Sequence, residues 1–347
     1  MDLLRELIQI SIGKIDRFSS VPTPEEWESL YAEARKQAIL GVTYMALESI
    51  PPKQLSNPAV ASKWKDKKEK IAIMGEVYED HCRRISGILS RLGYRSCILK
   101  GQGLSSRFYP EPFLRQCGDI DVWVDGSRKE IVCNLRRKYE VHHIYYHECK
   151  VGFFPHLTTE VHFIPIRMFN PMNSCRLKRF FKESMDEAMT AELPGKGYCT
   201  PEAPFNAVYL MGHILRHSLK RGVGLRHIWD YYYVLGTMTP SQKEEARKQL
   251  RRLGLEGICS EVMYVLNYLF GVEKDELLFP PAEKRGRQLL SEILRDGNFG
   301  IISGGSDKKR GRKGEFKYAL RFPSEVFWIP LSRVWHFFWR KFFNFSL

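Results

Sequence analysis

The sequence predicts an α/β (α+β) module set between an N-terminal and a C-terminal helical region. Three observations lead there. Hydrophobic residues recur at helical spacing as far as Leu92; from Gly93 short apolar runs and period-two alternation take over; beyond Pro171 the helical spacing returns. The chain has 347 residues, of which 44% are hydrophobic and 13% aromatic, enough to fill two or three cores and too apolar for a disordered chain. The expected division is four consecutive stretches: a helical region over 1–92, the α/β core over 93–170, a helical domain over 171–302, and a basic loop with an aromatic C-terminal helix over 303–347.

Each element has a local reason. Leu3, Leu4, Leu7, Ile8 and Ile10 make a short apolar helix face. Thr23-Pro24-Glu25-Glu26 is a helix start: a hydroxyl cap, a proline at the first helical position and acids in the first turn. That helix extends through Tyr31, Ala34 and Ala38, and Pro51-Pro52 breaks the pattern. A long helix follows over about 59–92, its KWKDKKEK segment reading as a solvated face. In the core, Ser96–Leu99 is an apolar run ending in Lys100-Gly101-Gln102-Gly103, with a helical stretch at 104–109. Asp119–Val124 alternates as a strand, 128–139 is helical, 141–146 is a candidate strand and 158–164 a clear one. Further helices are predicted near 174–189, 202–219, 225–236, 240–253, 257–270 and 282–295.

Composition narrows the function classes. Lys and Arg number 54 against 40 acids, a net charge of +14 that favours polyanionic partners: nucleotides, nucleic acid or an anionic membrane surface. The eight cysteines contain no C-x-x-C pair, which excludes a zinc ribbon or a thioredoxin-like motif, and they are too sparse for a disulfide scaffold; a reducing, cytoplasmic location is expected. The N-terminal stretch lacks the charge pattern of a signal peptide, and no long uncharged apolar segment is present.

The sharpest local feature is Asp119-Ile120-Asp121. Alternate strand side chains share a face, so the two carboxylates lie together while Ile120, Val122 and Val124 face the core. Adjacent carboxylates repel unless a cation sits between them, and hard oxygen ligands suit Mg²⁺ or Mn²⁺; alone, the pattern equally fits a strand edge with solvated acids. Lys100-Gly101-Gln102-Gly103, a strand end opening a helix, offers backbone N–H groups and a charge to a phosphate, or is a plain turn; the P-loop spacing is absent. In Thr159-Glu160-Val161-His162, Glu160 and His162 share a face. If that strand lies beside the Asp119 strand, three carboxylates converge, the set that two divalent ions need to bridge a triphosphate.

These residues resemble a family. The run ILKGQGLSSRFYPEPFLRQCGDIDVWV followed by TTEVHF is similar to the polymerase-β-type nucleotidyltransferases, and most similar to the bacterial group labelled nucleotidyltransferase family 5. Lys100-Gly101, Arg115, Asp119/Asp121 and Glu160/His162 carry the match, and the helical segment PEAPFNAVYLMGHILRHSLKRGVGLRHIWDYYYVL extends it over most of 90–347. One departure stands out: the superfamily's Gly-Ser or Gly-Gly lies closer to D-x-D, whereas Gly101 precedes Asp119 by eighteen residues, so Gln102, Ser105 or Ser106 would replace the usual serine.

The resemblance implies a nucleotidyltransferase core with a small mixed sheet. It implies metal-dependent transfer of an NMP from an NTP to an acceptor hydroxyl on a protein, RNA or small molecule, with release of pyrophosphate. Asp119, Asp121 and Glu160 would hold Mg²⁺ or Mn²⁺, with Glu160 a candidate base. Lys100, Gly101, Gln102, Gly103 and Ser105 would hold the phosphates. Arg115 would either neutralise pyrophosphate or pair structurally.

Other features have two readings. His213 and His217 share a helix face, as a metal pair, a phosphate contact or packing; His217, Lys220 and Arg221 are candidates for facing the substrate. Arg226 and Asp230 form an intrahelical ion pair, or Arg226 covers the nucleotide. His142, His143 and His147 read as surface or partly buried, and Tyr231–Tyr233 as packing. The aromatic, basic C-terminus either caps the helical domain or lies in a membrane interface. Basic residues 308–313 read as a solvated loop or an anion contact. A non-catalytic scaffold that docks a polyanion or partner is the alternative to an enzyme.

Overall fold

The structure, a computed structural model, describes residues 2–220, 222–298 and 320–345. Its sheet has five strands: β1 (Ser96–Ile98), β2 (Ile120–Val124), β3 (Val141–His142), β4 (Glu148–Phe154) and β5 (Leu157–His162), in the order β1-β2-β5-β4-β3. β2 and β5 are parallel and the other neighbours antiparallel, so the sheet is mixed and the α/β expectation holds. Arg221 and residues 308–313 lie outside the described residues.

The chain forms two compact units, each made of three separate segments rather than a consecutive stretch. In its described part, the first unit comprises residues 2–76, 108–116, 220 and 222–298, and the second 77–107, 117–219 and 320–345. Helix α4 (Pro58–Arg91) supplies residues to both.

The first unit is helical. It contains α1 (Asp2–Ser11), α2 (Pro24–Lys36), α3 (Leu40–Ser49) and the start of α4. After the sheet segments come α10 (Leu225–Gly236), α11 (Pro240–Arg252), α12 (Glu256–Phe270) and α13 (Glu283–Asp296). α2 opens where its cap predicts: the Thr23 hydroxyl accepts from the Glu26 amide at 3.2 Å, and the Glu26 carboxylate accepts from the Thr23 amide at 2.8 Å. Thr239 and Gln242 repeat this motif at α11. α1 packs on α3 and α12. Trp27, Tyr31 and Trp64 meet edge-on, and the Trp64 indole donates to the Leu40 carbonyl at 2.8 Å. The KWKDKKEK segment is therefore solvated except for Trp64, which is fully buried. α3 was not separately legible, because its two ends carry no side-chain cap signal.

The carboxylate of Asp230, expected to pair within its own helix, instead faces Arg115. Nε meets Oδ1 at 2.6 Å and Nη2 meets Oδ2 at 2.7 Å, and the Tyr109 hydroxyl donates to Oδ1 at 2.6 Å. Arg226 donates to the Gln116 carbonyl at 2.8 Å. Nearby, the Gly224 amide donates to Nδ1 of buried His227 at 3.2 Å. Burial, and then the charge of Arg226, push the His227 pKa down to about 3. A depressed imidazole pKa means that the unfolded chain takes up the proton first. The stability this residue contributes is thus complete above its ordinary pKa of about 6.5 and is lost as the pH falls towards 3, with a limiting slope of about 1.4 kcal/mol per pH unit. Urea unfolding from pH 7 to pH 4 should show that loss, and His227→Asn should flatten it; equal slopes would reject this origin.

The second unit holds the sheet. One face, with Ile120, Val122, Val124, Val161, Cys149 and Val151, packs against Cys82, Ile85 and Leu89 of α4 and against Ile131, Val132 and Leu135 of α6 (Arg128–Arg136). Other helices of this unit are α5 (Gln102–Phe108), α7 (Pro171–Glu183), α8 (Met185–Thr190), α9 (Ala203–Lys220), α14 (Pro323–Val326) and α15 (Ile329–Phe345). β4 was missed although Cys149, Val151 and Phe153 alternate inward, because its hairpin turn is Pro155-His156 and lacks a Gly or Asn signal; His156 itself takes the left-handed conformation (φ 65°). The expected strand over 141–146 shortens to Val141–His142. His147, expected at the surface or partly buried, is buried, its Nε2 3.3 Å from Glu148 and 3.1 Å from Arg216. All eight cysteines are free thiols.

Candidate active site

Strand register builds the site. In the parallel pair β2–β5, Asp121 stands opposite Glu160 and Trp123 opposite His162; in β5–β4, Glu160 stands opposite Lys150 and His162 opposite Glu148. Aligned neighbours point the same way, so the face away from the core carries two rows: Asp121, Glu160, Lys150 and Trp123, His162, Glu148. α9 covers this face, with Phe205 stacked on Trp123 at 5.8 Å.

Asp121 is fully buried. Its Oδ1 lies 3.0 Å from Lys100 Nζ and 2.8 Å from His162 Nε2, while Oδ2 is buried with no hydrogen-bonding partner among the described residues. Burial of an unsatisfied carboxylate oxygen is costly, so this atom is suited to receive a ligand. Asp121, Glu160 and His162 each offer a ligand atom within 4.8 Å of the others. Glu160 also faces Lys150 Nζ at 3.5 Å, and His162 Nδ1 faces Glu148 at 3.7 Å. Asp119 lies just before β2, half-buried, and acts on Lys100 through its charge. Burial disfavours the charge on Lys100, but Asp121 and then Asp119 outweigh it and hold its pKa well above the ordinary value. The same contest on His162, burial against the Asp121 hydrogen bond, leaves its pKa raised.

Lys100 also approaches His213 Nε2 at 3.2 Å, and His213 approaches His217 at the same distance. The predicted His213/His217 face thus abuts the lysine beside Asp121.

The K-G-Q-G turn is built on backbone. Gly101 has φ 63°, and a Cβ at Gly103 would stand 2.7 Å from both the Ile98 carbonyl and the Thr200 hydroxyl. The side chains of the turn face inward. Gln102 donates to Glu79 at 2.9 Å and to Ser106 at 3.0 Å, and the buried Ser105 hydroxyl donates to the Gln102 carbonyl. Glu79 gathers Ser106, Tyr198 and Gln102 on one oxygen and Lys196 on the other. Burial opposes its charge, but these hydrogen bonds together hold its pKa below the usual carboxylate range. Gly101, Gln102 and Gly103 are buried, and their main-chain N–H groups stand at the start of α5, where a helix leaves its amides without intrahelical acceptors.

Asp121, Glu160 and Lys100 are thus brought together, and Arg115 belongs to the other unit, held by Asp230. The residues that sequence reasoning left without a role are Glu79, Glu148 and Lys150. The alternation Glu148, Lys150 around inward Cys149 was the available signal for two of them; the position of Glu79 on α4 carried none.

A mixed sheet flanked by helices is the architecture of a nucleotidyltransferase core. The chain matches the model of the family described as "Uncharacterised nucleotidyltransferase" over residues 23–271, and it belongs to that nucleotidyltransferase family. Membership brings a general transferase role and a nucleotide substrate. No curated protein matches the chain.

Proposed function

We propose that the protein moves an NMP from an NTP to an acceptor hydroxyl with release of pyrophosphate. The observation that carries this reading is Asp121: a buried carboxylate with one oxygen on Lys100 and His162, the other without a hydrogen-bonding partner among the described residues, aligned with Glu160 across a parallel strand pair. Asp121, Glu160 and Asp119 would hold divalent ions, with His162 as an added ligand; oxygens suit Mg²⁺, and the imidazole favours Mn²⁺ over it. Such ions, when bound, neutralise the triphosphate and align the attacking oxygen.

The remaining roles follow from chain residues. The main-chain N–H groups at Gly101, Gln102 and Gly103 bind the β- and γ-phosphates, with Ser105 holding the turn in shape rather than touching phosphate. Lys100 balances the carboxylates and supplies positive charge next to them. Glu160, half-buried, accepts the acceptor hydroxyl's proton. Arg115 takes the structural role.

Thermal unfolding in ATP, GTP, CTP and UTP, each with Mg²⁺, Mn²⁺ or chelator, tests the reading. A nucleotide at 100 times its Kd adds about 2.7 kcal/mol. One NTP should raise Tm only with a divalent ion; no shift with any of the four, or an equal shift in chelator, rejects it.

A further inference from the structure

The described C-terminal segment has two unlike faces. The inward side of α15 is fixed to the second unit. Trp339 and Phe343 pack against the sheet core, and the Arg128 guanidinium lies 5.0 Å over the Trp339 ring. Tyr146 meets Trp335 and Trp339 edge-on. At the neighbouring α14, Glu325 accepts from the Phe169 and Asn170 amides and from the Asn173 side chain.

The other side is exposed and apolar. Leu331, Val334, Phe338 and Phe342 recur at helical spacing and form one stripe, each at least 52% exposed. Of the thirteen large hydrophobic side chains that are exposed among the described residues, eight fall within 320–342. Such a concentration marks an interaction surface rather than scattered exposure.

Charge identifies the occupant. From Val326 to Leu347 the sequence contains Arg333, Arg340 and Lys341 and no acid, and residues 308–313 add five more bases. Arg340 and Lys341 are exposed, Arg340 over the Tyr145 ring at 5.3 Å and Lys341 Nζ over the exposed Phe337 ring at 4.9 Å. A second copy of this chain would bring like charges together. An anionic bilayer supplies both an apolar boundary for Phe and Trp and negative headgroups for the bases. No helix among the described residues is long and apolar enough to cross a membrane, so the contact lies in the plane of the surface.

We propose that the outer face of α15 docks the protein on an anionic phospholipid surface, with Phe338 and Phe342 entering the headgroup boundary and Arg340 and Lys341 pairing with lipid phosphates. This stands apart from the transferase reading and does not depend on it.

The test is co-flotation of the full chain with vesicles of phosphatidylcholine alone and of phosphatidylcholine with phosphatidylglycerol. Binding should require the anionic lipid and weaken with salt. Arg340→Glu with Lys341→Glu should weaken it by about fivefold or more per residue. Phe338→Asp with Phe342→Asp should abolish it while circular dichroism and Tm match wild type, since both side chains are exposed. Failure to float with anionic vesicles overturns the proposal, as does equal flotation of the Phe338→Asp/Phe342→Asp variant. A concentration-dependent dimer that this variant abolishes, without any vesicle binding, assigns the face to a second copy instead.

Discussion

Asp121→Asn should lower nucleotidyl transfer by about a thousandfold or more, the loss expected when several kcal/mol of charge stabilisation at the reacting phosphate disappears. The amide is isosteric, so packing under α9 is kept, but it carries no charge for a divalent ion and leaves Lys100 facing a neutral partner 3.0 Å away. Two readouts separate chemistry from folding. The divalent-dependent Tm rise with NTP should vanish, while the far-UV spectrum should stay that of wild type. Glu160→Gln should reduce transfer and weaken metal dependence less completely, because Glu160 is half-buried and already shares a contact with Lys150. Retained transfer in Asp121→Asn would remove this carboxylate from the reaction and favour a non-catalytic scaffold.

Arg115→Ala should destabilise the protein by about 3–5 kcal/mol, the cost of leaving a buried charge without its partner. Both members are almost completely buried, with side-chain exposures of 6% and 2%, so solvent screens little of it. Burial raises the Asp230 pKa, but Arg115 more than reverses this and holds the carboxyl below its usual range. Stability from this group is therefore present above the ordinary carboxyl pKa and is lost as the pH falls through the depressed one. Arg115→Lys should recover little, since one ammonium cannot make both bonds of the fork. Arg115→Met with Asp230→Leu should recover much of the loss, because replacing both partners strands neither charge. Denaturant midpoints read all three. An Arg115→Ala protein that unfolds like wild type yet fails in transfer would return this arginine to the phosphate set.

The two experiments bear on residues that one motif placed side by side. In the sequence Arg115 and Asp119 are four positions apart and look like parts of one site. In the fold, Gln116 closes one segment of the first unit and Cys117 opens one of the second. The partner of Arg115 lies 115 residues further on, on α10, and no local pattern names it. Asp230 looked like half of an intrahelical pair for the same reason: spacing of four is visible in sequence, and burial beside a distant guanidinium is not.

Legibility followed the range of the interaction. Helix α2 was readable because its capping box lies within four residues, and α9 to α13 because each carries its own apolar face. β2 and β5 were readable because period-two alternation is a property of the strand itself. β3 was read too long, as 141–146, since a two-residue strand has no period to set its end, and β4 was not read, since the turn joining it to β5 uses a histidine at positive φ.

By itself the sequence determined the class of fold, the nucleotidyltransferase resemblance, and which side of β2 and of β5 would carry acids. Only the tertiary structure decided what those acids meet. The parallel pairing of β2 with β5 set Asp121 against Glu160 rather than one residue away, which would have turned Glu160 into the core. Closure of α9 over the sheet brought His213 to Lys100, and the Glu79 carboxylate and the Gln102 carbonyl took up the side chains of Gln102 and Ser105. The physical reason is common to all of these. A periodic pattern specifies which face a residue occupies. Its neighbour is chosen by burying apolar surface across the whole unit, and that choice is written in no single stretch of chain.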